Sequence, residues 1–167
     1  NIDIYMLDLA TLVLTRLTQH SAIDTEATWS ADGESILFTS DRAGGPQVYR
    51  VPARAGARAQ RVTFEGDYNG RPRISPDGNQ LAVVHRVQGN YRIALVDPDT
   101  GLTQVLSTGQ LDESPSFAPN GALIIYAAQE NGRGVLASVS TDGRIHQQIA
   151  SVAGQVREPV WSPFPRI

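Results

Sequence analysis

The sequence predicts an all-β fold, a β-propeller of four-stranded antiparallel blades, and three observations carry that prediction. A corner signal recurs as Trp29-Ser30-Ala31-Asp32-Gly33, Ile74-Ser75-Pro76-Asp77-Gly78, Phe117-Ala118-Pro119-Asn120-Gly121 and, cut short, Trp161-Ser162-Pro163-Phe164. Its lead residues stand 45, 43 and 44 positions apart, the repeat length of one propeller blade. After each complete signal comes a short apolar run of β-forming residues: Ile36 to Thr39, Leu81 to Val84 and Leu123 to Tyr126.

Laid out in order, residues 1–18 supply a third and a fourth strand, a half blade. Three full blades follow over 24–63, 69–106 and 112–149, and residues 156–162 supply a lone first strand that closes a ring. In each full blade the corner joins the first strand to the apolar second. A polar loop then leads to an alternating third strand: Val48 to Val51, Tyr91 to Val96, or Val135 to Val139. A turn such as Asp97-Pro98-Asp99-Thr100-Gly101 leads to a more polar fourth strand. The Asp-Gly and Asn-Gly pairs serve hairpins that need positive φ, which Gly adopts freely and Asn or Asp tolerates. The large residue before each corner (Trp29, Ile74, Phe117, Trp161) is expected between blades, where stacked sheets bury their faces. Three blades and fragments curve without closing at the usual sizes of four to eight blades, so the chain reads as part of a larger ring.

Composition narrows the function. With 41% hydrophobic and 19% charged residues the chain can bury a core and is globular. A net charge of -3 gives no field for a phosphate backbone, which excludes nucleic acid as a partner. All 14 basic residues are arginine, which fits a GC-rich coding bias. No cysteine is present, so disulfides, thiolate metal sites and thiol nucleophiles are excluded. No apolar run approaches the roughly 20 residues that span a bilayer, so membrane insertion is not expected. His20, His85 and His146 do not converge on a metal, and no metal or cofactor site is expected beyond one option. Carboxylates at the channel mouth offer the oxygen ligands that calcium takes.

Strand order sets which face binds. Antiparallel strands place the first-to-second and third-to-fourth turns on one face, and the second-to-third and blade-to-blade loops on the other. The second face carries the longer and more varied loops, where binding residues are expected. Counting back from the four lead residues, the third to fifth positions are Asp24, Thr25, Glu26; Asn69, Gly70, Arg71; Asp112, Glu113, Ser114; and Val156, Arg157, Glu158. Proline follows in three of the four repeats, as suits a strand entry that needs no ladder donor. The candidate partner-binding residues are therefore Asp24, Thr25, Glu26, Asn69, Arg71, Asp112, Glu113, Arg157 and Glu158. A solvated channel mouth is the alternative reading of the same ring. The loops 41–45 and 85–90 form an outer rim, and no residue is assigned a catalytic role.

The stretch from Trp29 through Thr39-Ser40-Asp41-Arg42-Ala43-Gly44-Gly45-Pro46-Gln47-Val48-Tyr49 resembles the propeller of the TolB family. So do residues 111–121, Val139 to Arg144, Gly154-Gln155-Val156 and the terminal Trp161-Ser162-Pro163, so the resemblance covers essentially the whole chain. It implies a periplasmic, non-enzymatic protein of the Tol-Pal envelope system, with an N-terminal α/β domain before a six-bladed propeller of which this chain is the C-terminal part. It also implies the partner Pal, the peptidoglycan-associated lipoprotein, docked at the mouth, where the segment matching Asp24-Thr25-Glu26 contributes. Colicin translocation segments use the same face, and TolA contacts the N-terminal segment, which is absent here. The competing reading is a propeller that gates a prolyl-oligopeptidase-like serine hydrolase, but no Gly-x-Ser-x-Gly elbow is present. The terminal Trp161-Ser162-Pro163 strand, with four residues after it, is expected to end the propeller with no hydrolase domain following. A sugar-cleaving propeller is disfavoured by 7% aromatic content and the lack of paired acids in one motif.

Overall fold

The blades form because each repeat folds back on itself through local corners. In the first, the Gly33 amide donates to the Ser30 carbonyl at 3.0 Å, and Gly33 takes a φ of +73°, open to glycine without a Cβ penalty. Asp32 is not itself left-handed, contrary to the expectation for the pair. It accepts the Glu34 amide at 2.9 Å instead, and so caps the turn with its side chain.

The computed structural model describes residues 1–162. Among them there are fourteen strands and no helix. Strands β1 (Tyr5–Leu7) and β2 (Leu14–Arg16) pair antiparallel as a two-stranded sheet. The first four-stranded sheet runs β3 (Asp24–Trp29), β4 (Ser35–Ser40), β5 (Gln47–Pro52) and β6 (Gln60–Arg61). The second runs β7 (Asn69–Ile74), β8 (Leu81–Val87), β9 (Asn90–Val96) and β10 (Thr103–Val105). The third runs β11 (Glu113–Phe117), β12 (Leu123–Glu130), β13 (Arg133–Ser140) and β14 (His146–Val152). All pairings within these sheets are antiparallel.

The core lies between blades rather than within one. Strand β4 is buried at all six positions because its blade is covered on both faces. Ile36 and Phe38 pack towards the half blade with Leu17, Tyr49 and Val51, while Leu37 faces the second blade with Val48, Leu81 and Val83. Ile93, Leu95, Ile124 and Val139 fill the next gap. Each such side chain, fully buried, contributes about 1.5–3 kcal/mol.

Ile74 and Phe117 pack against these clusters as expected, but Trp29 is 48% exposed and Trp161 37%. The reason is what lies opposite. Trp29 faces the half blade across a groove lined by Ile4, Tyr5, Met6 and Leu7, where two strands cover less than four would.

Residues 156–162 form no ladder among the described residues, and the chain there runs beside β11. A strand needs an adjacent edge to bond, and this segment reaches its neighbour through side chains: Glu158 meets Ser114, and the Trp161 amide donates to Ser116 Oγ at 3.4 Å. Pro163 and Phe164 of the fourth corner signal lie outside the described residues.

Candidate functional site

The innermost strands share an irregularity that the sequence reading missed. Their ladders with the second strands break between Thr25 and Thr28, Gly70 and Arg73, and Glu113 and Ser116. One residue in each break is left-handed: Glu26 (φ +56°), Arg71 (+53°) and Ser114 (+57°). Glu158, at the equivalent place in the unpaired fourth segment, has φ +48°. These are β-bulges, which twist a strand and re-aim a side chain. The signal was available in Pro72, Pro115 and Pro159, since proline inside a strand is found where the ladder is already interrupted.

The bulges bring side chains of different blades together at the mouth. Glu26 Oε2 accepts the Arg71 amide at 2.9 Å and the Thr39 hydroxyl at 2.7 Å. The Arg71 guanidinium donates to Ser114 Oγ at 2.8 Å, pairs with Glu158, and stands 3.4 Å from Glu26 and 4.0 Å from Glu113. Ser114 in turn donates to Glu158 at 3.2 Å. Burial works against the Arg71 charge, but the hydrogen bond and charge of Glu158, then Glu26 and Glu113, outweigh it and raise its pKa. Partial burial likewise pushes Glu158 up, and the Arg71 hydrogen bond and charge bring it below the ordinary carboxylate value.

The nine candidate residues thus divide into two sets. Asp24, Asn69 and Asp112, the fifth position in three repeats, are buried at 0%, 0% and 2% exposure and present no surface to a partner. Each backbone amide is fixed to a preceding strand or loop: Asp24 to Ile2, Asn69 to Pro46 and Asp112 to Tyr91. Their side chains are committed as well. Asp24 takes both its oxygens to Arg42 Nη2 at 2.8 and 2.7 Å, and Arg42 lies over the Phe38 and Tyr49 rings. Asn69 bridges Gln47, the Glu65 carbonyl and His85. Asp112 accepts the Gly109 amide, and burial raises its pKa despite hydrogen bonds from Ser107 and Gly109. Burial makes pegs of these three, which hold the blade-to-blade crossovers rather than offering their side chains at the surface.

Thr25, Glu26, Arg71, Glu113, Arg157 and Glu158 remain accessible. Thr25 sits opposite Thr39 in the ladder, and Arg157 bonds Gln155 beside a cavity of about 100 Å³ that Glu113 also lines. Thr39 and Ser114, not among the candidates, complete the network. Among the described residues no group of three or more His, Cys, Asp or Glu side chains is placed to hold a metal ion. Among the described residues the mouth carboxylates surround Arg71 rather than a vacant centre. No helix among the described residues is long and apolar enough to cross a membrane.

The chain is 50% identical over 114 residues to the Tol-Pal system protein TolB of Xylella fastidiosa, a match covering 67% of this chain and 26% of the relative. It therefore spans about a quarter of the length of that curated relative. The crystal structure of TolB from Acinetobacter baumannii superposes with a TM-score of 0.87 at 46% identity, over 96% of this chain and 40% of that one. A puromycin-hydrolyzing peptidase from Mycobacterium tuberculosis matches 89% of this chain and 26% of its own at a TM-score of 0.72. Its identity is only 14%, so that likeness concerns the fold alone. The family model of the TolB beta propeller domain matches residues 1–165, nearly the whole of this blade array, and the chain belongs to that family.

Proposed function

We propose that this chain is the propeller part of a non-enzymatic periplasmic scaffold of the Tol-Pal system, which binds Pal at the channel mouth and so supports outer-membrane integrity and cell division. One observation carries the reading. The mouth repeats one left-handed backbone position four times, three of them in bulges, yet fills it with Glu26, Arg71, Ser114 and Glu158, a set with different charges and shapes on a fixed frame. Such a surface can discriminate among partners, because like charges brought together are costly and complementary ones are not. Thr25, Glu26, Arg71, Glu113, Arg157 and Glu158 are the accessible contact set. TolA and colicin segments fit the same system as further partners, the former through parts of the longer protein.

Calorimetry with Pal on the full-length protein tests this. Thr25→Arg places a long charged side chain in a closely packed mouth, while Asp142→Arg changes the opposite face. The first is expected to cost at least about 2 kcal/mol of binding, the scale of a hot spot, and the second almost nothing. Unchanged affinity in Thr25→Arg, with the fold intact by circular dichroism, would remove the mouth from consideration.

A further inference from the structure

Arg71 does more than occupy one place in the ring. Its amide bonds Glu26 Oε2 and Thr39 Oγ1 of the first blade, and its guanidinium reaches Ser114 of the third blade and Glu158 of the segment beyond. Four equivalent left-handed positions, 26, 71, 114 and 158, are thereby joined through this one residue, its amide on one side and its guanidinium on the other. A left-handed conformation is unfavourable for residues with a Cβ, so the bulges carry strain that glycine would relieve. What distinguishes these positions from glycine is the side-chain bonding that links them.

We propose that Arg71 is the positioning residue of the mouth: it sets the placement of the Glu26 and Glu158 carboxylates, through which a partner protein reads the surface, and is not itself a principal contact. The inference rests on the proposed partner-binding role of this face. Arg71 has 30% of its side chain exposed; its Nη1 donates to Ser114 and Glu158, its Nε lies 3.4 Å from Glu26 and its Nη2 stands 4.0 Å from Glu113, so the guanidinium is oriented by groups of its own chain. Glu158 is 61% exposed, and ion pairs open to solvent add little to stability, so the contribution of this pair lies in geometry rather than in holding the fold. A guanidinium suits this place, since its planar fork turns Nε towards Glu26 while Nη1 serves Ser114 and Glu158, whereas a lysine ammonium gathers its three donors on one atom.

The test is a double-mutant cycle on the full-length protein with Pal as probe, using Arg71→Lys, Glu158→Gln and the pair, with thermal melts alongside. Arg71→Lys is expected to weaken binding about tenfold while leaving the melting temperature nearly unchanged, and to add little once Glu158→Gln is present. Additive losses would make Arg71 a direct contact and overturn the proposal. If Arg71→Lys binds like the wild type while Thr25→Arg does not, the positioning role is wrong and the mouth still binds. If neither variant loses affinity, the binding face itself is misassigned and the proposal falls with it. Should Arg71→Lys melt early, Glu26→Gln combined with Glu158→Gln tests the same claim: a loss of binding as large as that of Arg71→Lys supports it, and wild-type binding overturns it.

Discussion

The two faces of the blade array use repetition in opposite ways. On the corner face both backbone and side chains repeat. Ser30, Ser75 and Ser140 each accept the amide five residues on at 2.9 Å and donate to Asp32, Asp77 and Asp142. Those three carboxylates are held below the ordinary value first by the serine hydroxyl and then by a backbone amide. At the mouth the backbone repeats as faithfully, with four left-handed residues within ten degrees of one another, yet the side chains differ in charge and length. A turn that closes itself has one good chemical solution and reuses it. A surface that must recognise something is freed from that constraint once the bulge has set its direction.

The comparison breaks most readily at the buried pegs. Asp24→Ala leaves Arg42 with an unpartnered charge at a side-chain exposure of 15%, and breaking such a pair by removing one partner costs about 3–5 kcal/mol. Denaturant unfolding is expected to show that loss. A cost under about 1 kcal/mol, the range of a surface ion pair, would return Asp24 to the exposed set.

The corner is expected to be milder. Ser75→Ala removes the acceptor of the Gln80 amide and the donor to Asp77, for a net cost of about 1 kcal/mol. Ala118 occupies the same place in the third blade, so the backbone accommodates the change. Unfolding curves would register it, and Pal binding is expected to be unaffected.

A smaller and pH-dependent effect is expected at His85. Burial lowers its pKa below 6.5, against the pull of Glu65 and Asp67. A lowered folded-state pKa means the unfolded chain binds the proton more tightly. The stability that neutral His85 supports is therefore complete above about pH 6.5 and is lost as pH falls through the folded value. Replacing His85 by Asn, whose amide can still donate to Asn69, is expected to flatten the melting temperature below pH 6.5. An unchanged slope would assign the effect to other groups.

Much of the fold was legible because the corner chemistry is local. Ser, Asp and Gly within four residues dictate a turn, and spacing counts the blades. The mouth was legible only as a location. Position counting found the ring of candidates, but burial separated Asp24, Asn69 and Asp112 from Glu26, Arg71 and Glu113, and that depends on pairing with Arg42, Gln47 and Gly109, which position counting does not show. Thr39 escaped, and Ser114 stood in the counted ring without being chosen, because a hydroxyl in a strand carries no signal until the opposing blade is placed. Trp29 was expected in the core because its equivalents Ile74 and Phe117 are, and what differs is the sheet facing it.

Hydrogen–deuterium exchange of the full-length protein, free and saturated with Pal, tests the division between the faces most directly. Slower exchange is expected on binding in segments 24–28, 69–73 and 112–116, with none at the corners 30–35, 75–80 and 140–145. Protection confined to the corners, with the mouth segments unchanged, would contradict the assignment of recognition to the bulged face.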